Sequence, residues 1–261
     1  MSLTTHRVLI TGGVSGIGLA IASAFAKNGA HLVLGGLISA DEGQEISLSM
    51  QRLGASSCEI DRTDISDAAA ARGMVQQMIA SRGGIDILVN NAGIQHVAPV
   101  KDFPAEKWQQ VIDINLSAPF HLSAAALPAM RKSGFGRIIN ISSVHGQVAS
   151  VHKAAYVAAK HGLIGLTKTI ALECADTDIT CNAICPGWVR TSLVEQQIIA
   201  RAAQSGQSVD AEAHALVSEK QPTGKFMEPE QIAEMVLFLT GSASHNITGS
   251  AFTLDGGWTS Q

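Results

Sequence analysis

RVLITGGVSGIGLAIASAFAK, Arg7 to Lys27, decides the fold of this chain. A β-branched apolar run (7–11) enters a glycine turn, TGGVSGIG (11–18), and an apolar stretch of helical length (16–28) follows. Strand, glycine turn and helix together set an anionic phosphate group on a helix N-terminus, where backbone N–H groups and the helix dipole favour it. Gly12, Gly16 and Gly18 let the backbone turn sharply and come close to a phosphate. Their spacing, Gly-x3-Gly-x-Gly, departs from the general Gly-x-Gly-x-x-Gly fingerprint. Taken alone, the turn is also readable as purely structural.

The rest of the chain repeats the first unit. HLVLG (31–35), IDILVN (85–90), GRIINIS (136–142) and ITCNAIC (179–185) are further strands, with a third-strand region ahead of DRTDIS. Their near-continuous apolar character suits a parallel sheet covered on both faces. Helical segments lie between them, at about 40–53, 67–82, about 104–132 and 154–174. The expected fold is a single α/β domain over 1–261, a doubly wound parallel Rossmann-like sheet. From 187 to about 226 the strand pattern stops and Gln, Ser and Ala dominate. That segment follows the sixth strand, so it reads as a helical lid over a site at the strand ends, or as a peripheral helix pair.

Composition narrows the function classes. A formal net charge of −4 disfavours nucleic acid and anionic membranes as partners. No apolar run reaches the roughly 18 residues of a membrane span, and MSLTTHRVLI lacks the shape of a signal peptide. Cys58, Cys174, Cys181 and Cys185 form no Cys-x-x-Cys pair, so buried reduced thiols and a cytoplasmic location are expected. The nine histidines show no metal-binding spacing, and no catalytic metal is expected.

Strand ends carry the next signals. NNAG (90–93) ends the fourth strand and would flank a dinucleotide on the same sheet edge. Asp64 follows the third strand region; it reads as an acceptor for an adenine amino group or as an acid at a helix N-terminus. No Arg or Lys stands between Gly35 and Ser39, where a 2′-phosphate would want one, which favours NAD. The acid that would hold a ribose diol is missing there too. Asp41 and Glu42 come late, and Leu37 fills the space instead.

The only tyrosine of the chain, Tyr156, stands four residues before Lys160 in SVHGQVASVHKAAYVAAKHG (143–162), on one helix face. A free phenol with a pKa near 10 is a poor base at neutral pH. A nearby ammonium and a positive nicotinamide ring stabilise the phenolate, making Tyr156 a candidate general acid/base. Ser143 ends the apolar strand before it and is placed to hold the reacting oxygen.

TGGVSGIG, NNAG, Asn115, Ser143, Tyr156-x-x-x-Lys160 and the Pro186-Gly187 turn resemble the short-chain dehydrogenase/reductase family in order and spacing, over the whole chain. The resemblance implies that Asn115 holds a water linking Lys160 to solvent, and that Lys160 also binds ribose hydroxyls. It implies cofactor contacts from Ser15, Ile17, Leu37, Ile65, Asn91, Ala92, Gly93, Val189 and Thr191 as well. A homotetramer is a further implication.

For the substrate, Gln95, His145, Lys153 and Gln197 are four groups able to donate hydrogen bonds near the acid/base, which suits a small carboxylate. Each also has a plain reading as a solvated or strand-end residue. NNAGIQH, FPAEKW, AYVAAKHG, ICPGWVRT and LVEQQI are similar to the members of the family that act on short 3-hydroxy acids. That likeness implies reversible oxidation of (R)-3-hydroxybutyrate to acetoacetate with NAD. The four polar groups would hold the carboxylate, and Trp188 and Trp258 would wall the methyl end. The alternatives are another short 3-hydroxy acid, a 3-oxoacyl-carrier-protein reductase with NADPH, and a catalytically silent sensor or scaffold.

Overall fold

A computed structural model describes residues 3–260. Seven strands, all parallel, form one sheet in the order β3-β2-β1-β4-β5-β6-β7. They are β1 Arg7–Thr11, β2 His31–Gly35, β3 Ser57–Asp61, β4 Ile87–Asn90, β5 Gly136–Ile141, β6 Ile179–Pro186 and β7 Ala251–Leu254. The period of two along a strand assigns the faces. On β1, Val8 and Ile10 join a core with Phe25, Leu34 and Val236, while Leu9 between them joins a core with Met74, Leu122 and Ile170. Helices α1 (Gly16–Lys27), α2 (Ala40–Leu53) and α9 (Pro229–Thr240) contribute to the first core, and α3 (Ala68–Arg82), α5 (Ala118–Ser133) and α6 (Ala154–Glu173) to the second. Among the described residues, no helix is long and apolar enough to cross a membrane.

The helix expected at about 104–132 is broken. α4 covers Ala105–Ile112, a π-helical turn covers Asp113–Ser117, and α5 follows. Pro119 explains the break. It has no N–H for the Asn115 carbonyl four residues earlier, and its ring would press on that carbonyl, which disfavours the regular α ladder there, although α5 itself carries Pro128 in its interior. The widened turn is the accommodation, and turns of this kind cluster at functional sites.

The segment expected as a lid or a peripheral helix pair forms two helices, α7 (Ser192–Ser205) and α8 (Val209–Ser218), around a small core of Val194, Ile198 and Leu216 with Trp188 and Phe226 against it. Both stalks of the lid meet in a short parallel bridge between Val189 and Met227, where Met227 N donates to Trp188 O at 2.9 Å and Arg190 N to Met227 O at 2.7 Å. Gln221, wholly buried, ties the same stalks together: its Oε1 accepts from Trp188 N and its Nε2 donates to Lys225 O. α9, which the sequence reading did not single out, then returns the chain to pack on α1.

At the amino ends of the strands, far from the glycine turn, Arg7 clasps Asp86. Arg7 Nε and Nη2 donate to the two carboxylate oxygens at 2.8 and 2.6 Å, and the Arg7 backbone N–H adds a bond of 2.7 Å. Burial works against the carboxylate, but the Arg7 bonds prevail and hold Asp86 below the usual carboxylate range. A depressed folded pKa contributes stability above the unfolded value, and that contribution is lost as pH falls through the folded one. Asp86→Asn should cost about 1.5–3 kcal/mol in urea titrations at pH 7, leave activity intact, and converge on the parent protein as the pH drops below the ordinary aspartate range. An equal gap at every pH would contradict this account of the pair.

Candidate active site

Strand order reverses between β1 and β4, the topological switch point at which open α/β sheets bind ligands. A cavity of about 580 Å³ opens at the carboxyl edge there. The turn after β1 supplies Gly12, Ser15, Gly16 and Ile17 to its wall; the end of β4 supplies Asn91, Ala92, Gly93 and Gln95. Thr11 and Asn91 lock these two walls together. Thr11 Oγ1 accepts from the backbone N–H groups of Asn91 and Ala92 at 3.0 and 3.1 Å, and Asn91 Nδ2 donates to the carbonyls of Thr11 and Gly12 at 3.0 and 3.1 Å. Gly18 belongs to this packing and not to the cavity wall, since a Cβ there would lie 2.1 Å from the Gly12 carbonyl oxygen.

The N-terminus of α1 is open to an anion. Ser15 stands at the cap position with no side-chain capping bond, the first turn holds no acid, and Gly16 adopts φ 50, a left-handed conformation that glycine enters freely. Across the cavity, Thr191 caps α7 and Pro186, Gly187 and Val189 complete the wall. Leu37, Asp64 and Ile65 do not line it. Leu37 is 70% exposed after β2. Asp64 Oδ1 accepts from Ser66 N at 3.0 Å in a local turn, and Ile65 packs into the second core. Glu42 is also committed, because its carboxylate closes a capping box with Ser39 at the start of α2. The glycine turn, open helix end and cavity thus fit a dinucleotide pyrophosphate, and no fixed cation or acid stands at residues 35–39.

Deeper in the cavity the expected acid/base group assembles. Lys160 Nζ lies 5.6 Å from the Tyr156 ring centre and donates to Ile141 O at 2.7 Å. Burial pushes Lys160 down to about 8, with the Cys185 thiol opposing. Burial raises the Tyr156 phenol, and a hydrogen bond with Ser143 pulls against it. In the unliganded protein, Tyr156 therefore keeps its proton. Asn115 sits in the π turn beside this group: its Oδ1 accepts from Ile94 N at 2.9 Å and its Nδ2 donates to Ile94 O at 2.8 Å. The amide positions the segment after β4, and a Cβ on Gly93 would come within 3.1 Å of Asn115 Oδ1 and 3.7 Å of Lys160 Nζ.

Around Tyr156 stands an aromatic box. His145 meets Tyr156 and Trp258 edge-on, at 5.9 and 5.5 Å between ring centres, and Trp258 stacks on Trp188 at 6.3 Å. Trp258 thus closes the cavity of its own chain. Lys153 Nζ lies 5.7 Å from the Trp188 ring, and burial lowers its pKa. Gln95 and Gln197 line the same end. The cavity wall holds Lys153 and Lys160 and no Asp or Glu, so it suits anionic ligands.

His145 lines the same cavity as Gln95, Lys153 and Gln197. Both ring nitrogens meet serines: Nδ1 lies 3.4 Å from Ser143 Oγ and Nε2 2.9 Å from Ser150 Oγ. Burial, with the charges of Lys153 and His161, lowers the imidazole to about 4, so it is neutral. Ser150 and Gln221 escaped the sequence reading. Neither carries a motif, and each becomes visible only once its loop is folded.

The family model for short chain dehydrogenases matches residues 6–201. The chain is 47% identical to a D-beta-hydroxybutyrate dehydrogenase of Cupriavidus necator, over 99% of this chain and 100% of that one. A D-beta-hydroxybutyrate dehydrogenase of Rhizobium meliloti is 46% identical, with coverage of 98% and 100%. Among solved structures, a short-chain type dehydrogenase/reductase from Mycobacterium marinum superposes with a TM-score of 0.88 at 34% identity, over 100% of this chain and 98% of that one.

The packing of Gly18 makes a prediction. Gly18→Ala must displace the Gly12 carbonyl and should cost about 1–3 kcal/mol, with loss of dinucleotide binding by calorimetry. Ser15→Ala removes no capping bond and should cost much less than the ~1 kcal/mol usual at a helix cap. Equal effects of the two substitutions on the denaturation midpoint would contradict the geometry.

Proposed function

The chain belongs to the short chain dehydrogenase family, and from that premise we propose that it oxidises (R)-3-hydroxybutyrate reversibly to acetoacetate with NAD. Membership makes it an oxidoreductase that uses a nicotinamide cofactor. One observation carries the substrate: a half-buried lysine, Lys153, stands with Gln95 and Gln197 at one end of the same cavity that holds Ser143 and Tyr156. The names of the relatives from Cupriavidus necator and Rhizobium meliloti agree with it.

When bound, the nicotinamide supplies the acceptor or donor of hydride. The backbone of Gly12 to Gly18 and the open end of α1 would hold its pyrophosphate, with Ala92, Gly93, Val189 and Thr191 against the remainder. Lys153, Gln95 and Gln197 hold the carboxylate of the acid by charge and hydrogen bonds. Trp188 and Trp258 wall the short carbon chain and limit its length. The Ser143 hydroxyl donates to the substrate oxygen. In oxidation, the substrate hydroxyl gives its proton to Tyr156 Oη; in reduction, Tyr156 returns it to the carbonyl oxygen. Lys160, charged below about 8, favours the phenolate from the side of Ile141. The lid of α7 and α8 keeps water from the reacting carbon. Four buried, unpaired cysteines suit a reducing cytoplasm. The half-exposed Trp108 and Phe120 on α4 and α5 suit burial between copies, in keeping with a homotetramer.

Absorbance at the NADH wavelength tests the reading directly. Purified protein with NAD should reduce it on addition of (R)-3-hydroxybutyrate and not of the (S)-acid, and should use NADP poorly. No turnover of the (R)-acid would remove this substrate. Tyr156→Phe should lose about 10²–10⁴-fold in kcat, whereas Lys153→Ala should chiefly raise KM for the acid, by about tenfold or more. Leu37→Arg should raise kcat/KM with NADP by about tenfold; an unchanged cofactor preference would place the adenosine ribose elsewhere.

A further inference from the structure

Just before Lys153 the chain turns at Val151 and His152, and His152 takes φ 66, the one positive φ outside glycine among the described residues. A turn whose third residue has the positive φ is of the type II kind, and it brings the fourth residue back beside the first. Here the first is Ser150 and the fourth is Lys153. Both ends are tied down. Ser150 Oγ lies 2.9 Å from His145 Nε2. Lys153 stands at the cap of α6, and its carbonyl accepts from Val157 N at 2.9 Å. Between them, the His152 carbonyl accepts from Ala98 N at 2.9 Å. That bond joins the loop after β4 to the loop after β5, and these loops bring Gln95 and Lys153 to the same end of the cavity.

We propose that His152 is a positioning residue: its left-handed backbone, clasped to Ala98, sets the Lys153 ammonium at the carboxylate end of the cavity alongside Gln95. The side chain of His152 is exposed and does not line the cavity, so its contribution is the backbone it allows. Residue type matters at such a position. Glycine enters left-handed backbone freely, Asn, Asp and His enter it more readily than other side chains, and a β-branched residue there is an outlier. Strain of this kind persists where surrounding structure imposes it, and it collects at ligand sites. The bonds at Ser150, Ala98 and Val157 impose it here. They leave Lys153 half-buried with Nζ 5.7 Å from the Trp188 ring, and a chain that cannot turn at His152 has no way to reach that place without breaking one of them.

The kinetic part of the inference rests on the acid substrate proposed above; the place of Lys153 does not. The first readout is therefore the titration of Lys153 in the unliganded protein, followed through its Cε shift in protein labelled with ¹³C-lysine, with Lys153→Ala used for assignment. Burial lowers this lysine, so the parent protein and His152→Asn should titrate below the ordinary lysine range. His152→Val should return toward that range as the ammonium moves into water. In kinetics, His152→Val should raise KM for (R)-3-hydroxybutyrate about tenfold, the loss of one charge-assisted contact, with kcat within about twofold. His152→Asn should match the parent. In a Lys153→Ala background His152→Val should add nothing, because it acts through the lysine. A parent Lys153 that titrates as an ordinary lysine overturns the proposal. So do equal effects of Val and Asn, a fall in kcat at unchanged KM, or full addition of the Val and Lys153→Ala effects. If His152→Val does not fold, His152→Ala decides by the same readouts, with smaller shifts in the same direction. An inactive parent protein defeats the substrate reading, and the Lys153 titration still decides the role of His152.

Discussion

Parallel pairing is the constraint on which this molecule depends. Two parallel neighbours cannot be joined by a tight turn, so every connection must cross the sheet, and each crossing lays a helix on one face or the other. Both faces of the five inner strands are then largely buried and their residues mostly apolar, whereas the edge strands β3 and β7 stay partly exposed. All carboxyl ends are forced to one edge. The reversal of strand order between β1 and β4 parts the flanking connections at that edge, and the cavity occupies the gap. The bonds from Thr11 and Asn91 convert this topological gap into a rigid wall, because they join the ends of β1 and β4 through side chains as well as through the sheet.

The electrostatics of the gap follow from its burial. Two ammonium groups, Lys153 and Lys160, face it without a carboxylate in the wall, and burial lowers both. Desolvated cations of this kind are costly alone and favourable once an anion arrives. The open end of α1 adds a third source of positive potential. A phosphate-bearing cofactor and a carboxylate substrate thus meet a site already arranged for charge, in which little reorganisation is needed when the proton moves.

The lid adds geometry that depends on contacts distant in sequence. Its stalks are held by the Val189–Met227 bridge and by the buried amide of Gln221, so Trp188 is presented to the cavity from a fixed hinge. The same dependence governs the broken helix at Asn115. Pro119 was visible in the sequence, but its neighbours read as one long helix, because the apolar pattern continues across the π turn and only the carbonyl ladder is interrupted. α9 shows the opposite case: its face is covered by α1, more than two hundred residues earlier, and the helix was not read from its local pattern.

The sequence by itself determined the sheet, its crossovers, the glycine turn and the spacing of Ser143, Tyr156 and Lys160, since each is a local pattern of apolar period, glycine or helical offset. It also showed the lack of a cation after β2, where residue type alone carries the argument. Tertiary structure decided which polar groups are shared and which remain for a ligand. It sent Asp64 to its own turn, Ile65 to the core and Glu42 to a helix cap, and it gave both nitrogens of His145 to serines. The reason is physical: a hydrogen-bonding group has few places to bind, and which partner fills them depends on folded distances that no spacing along the chain encodes.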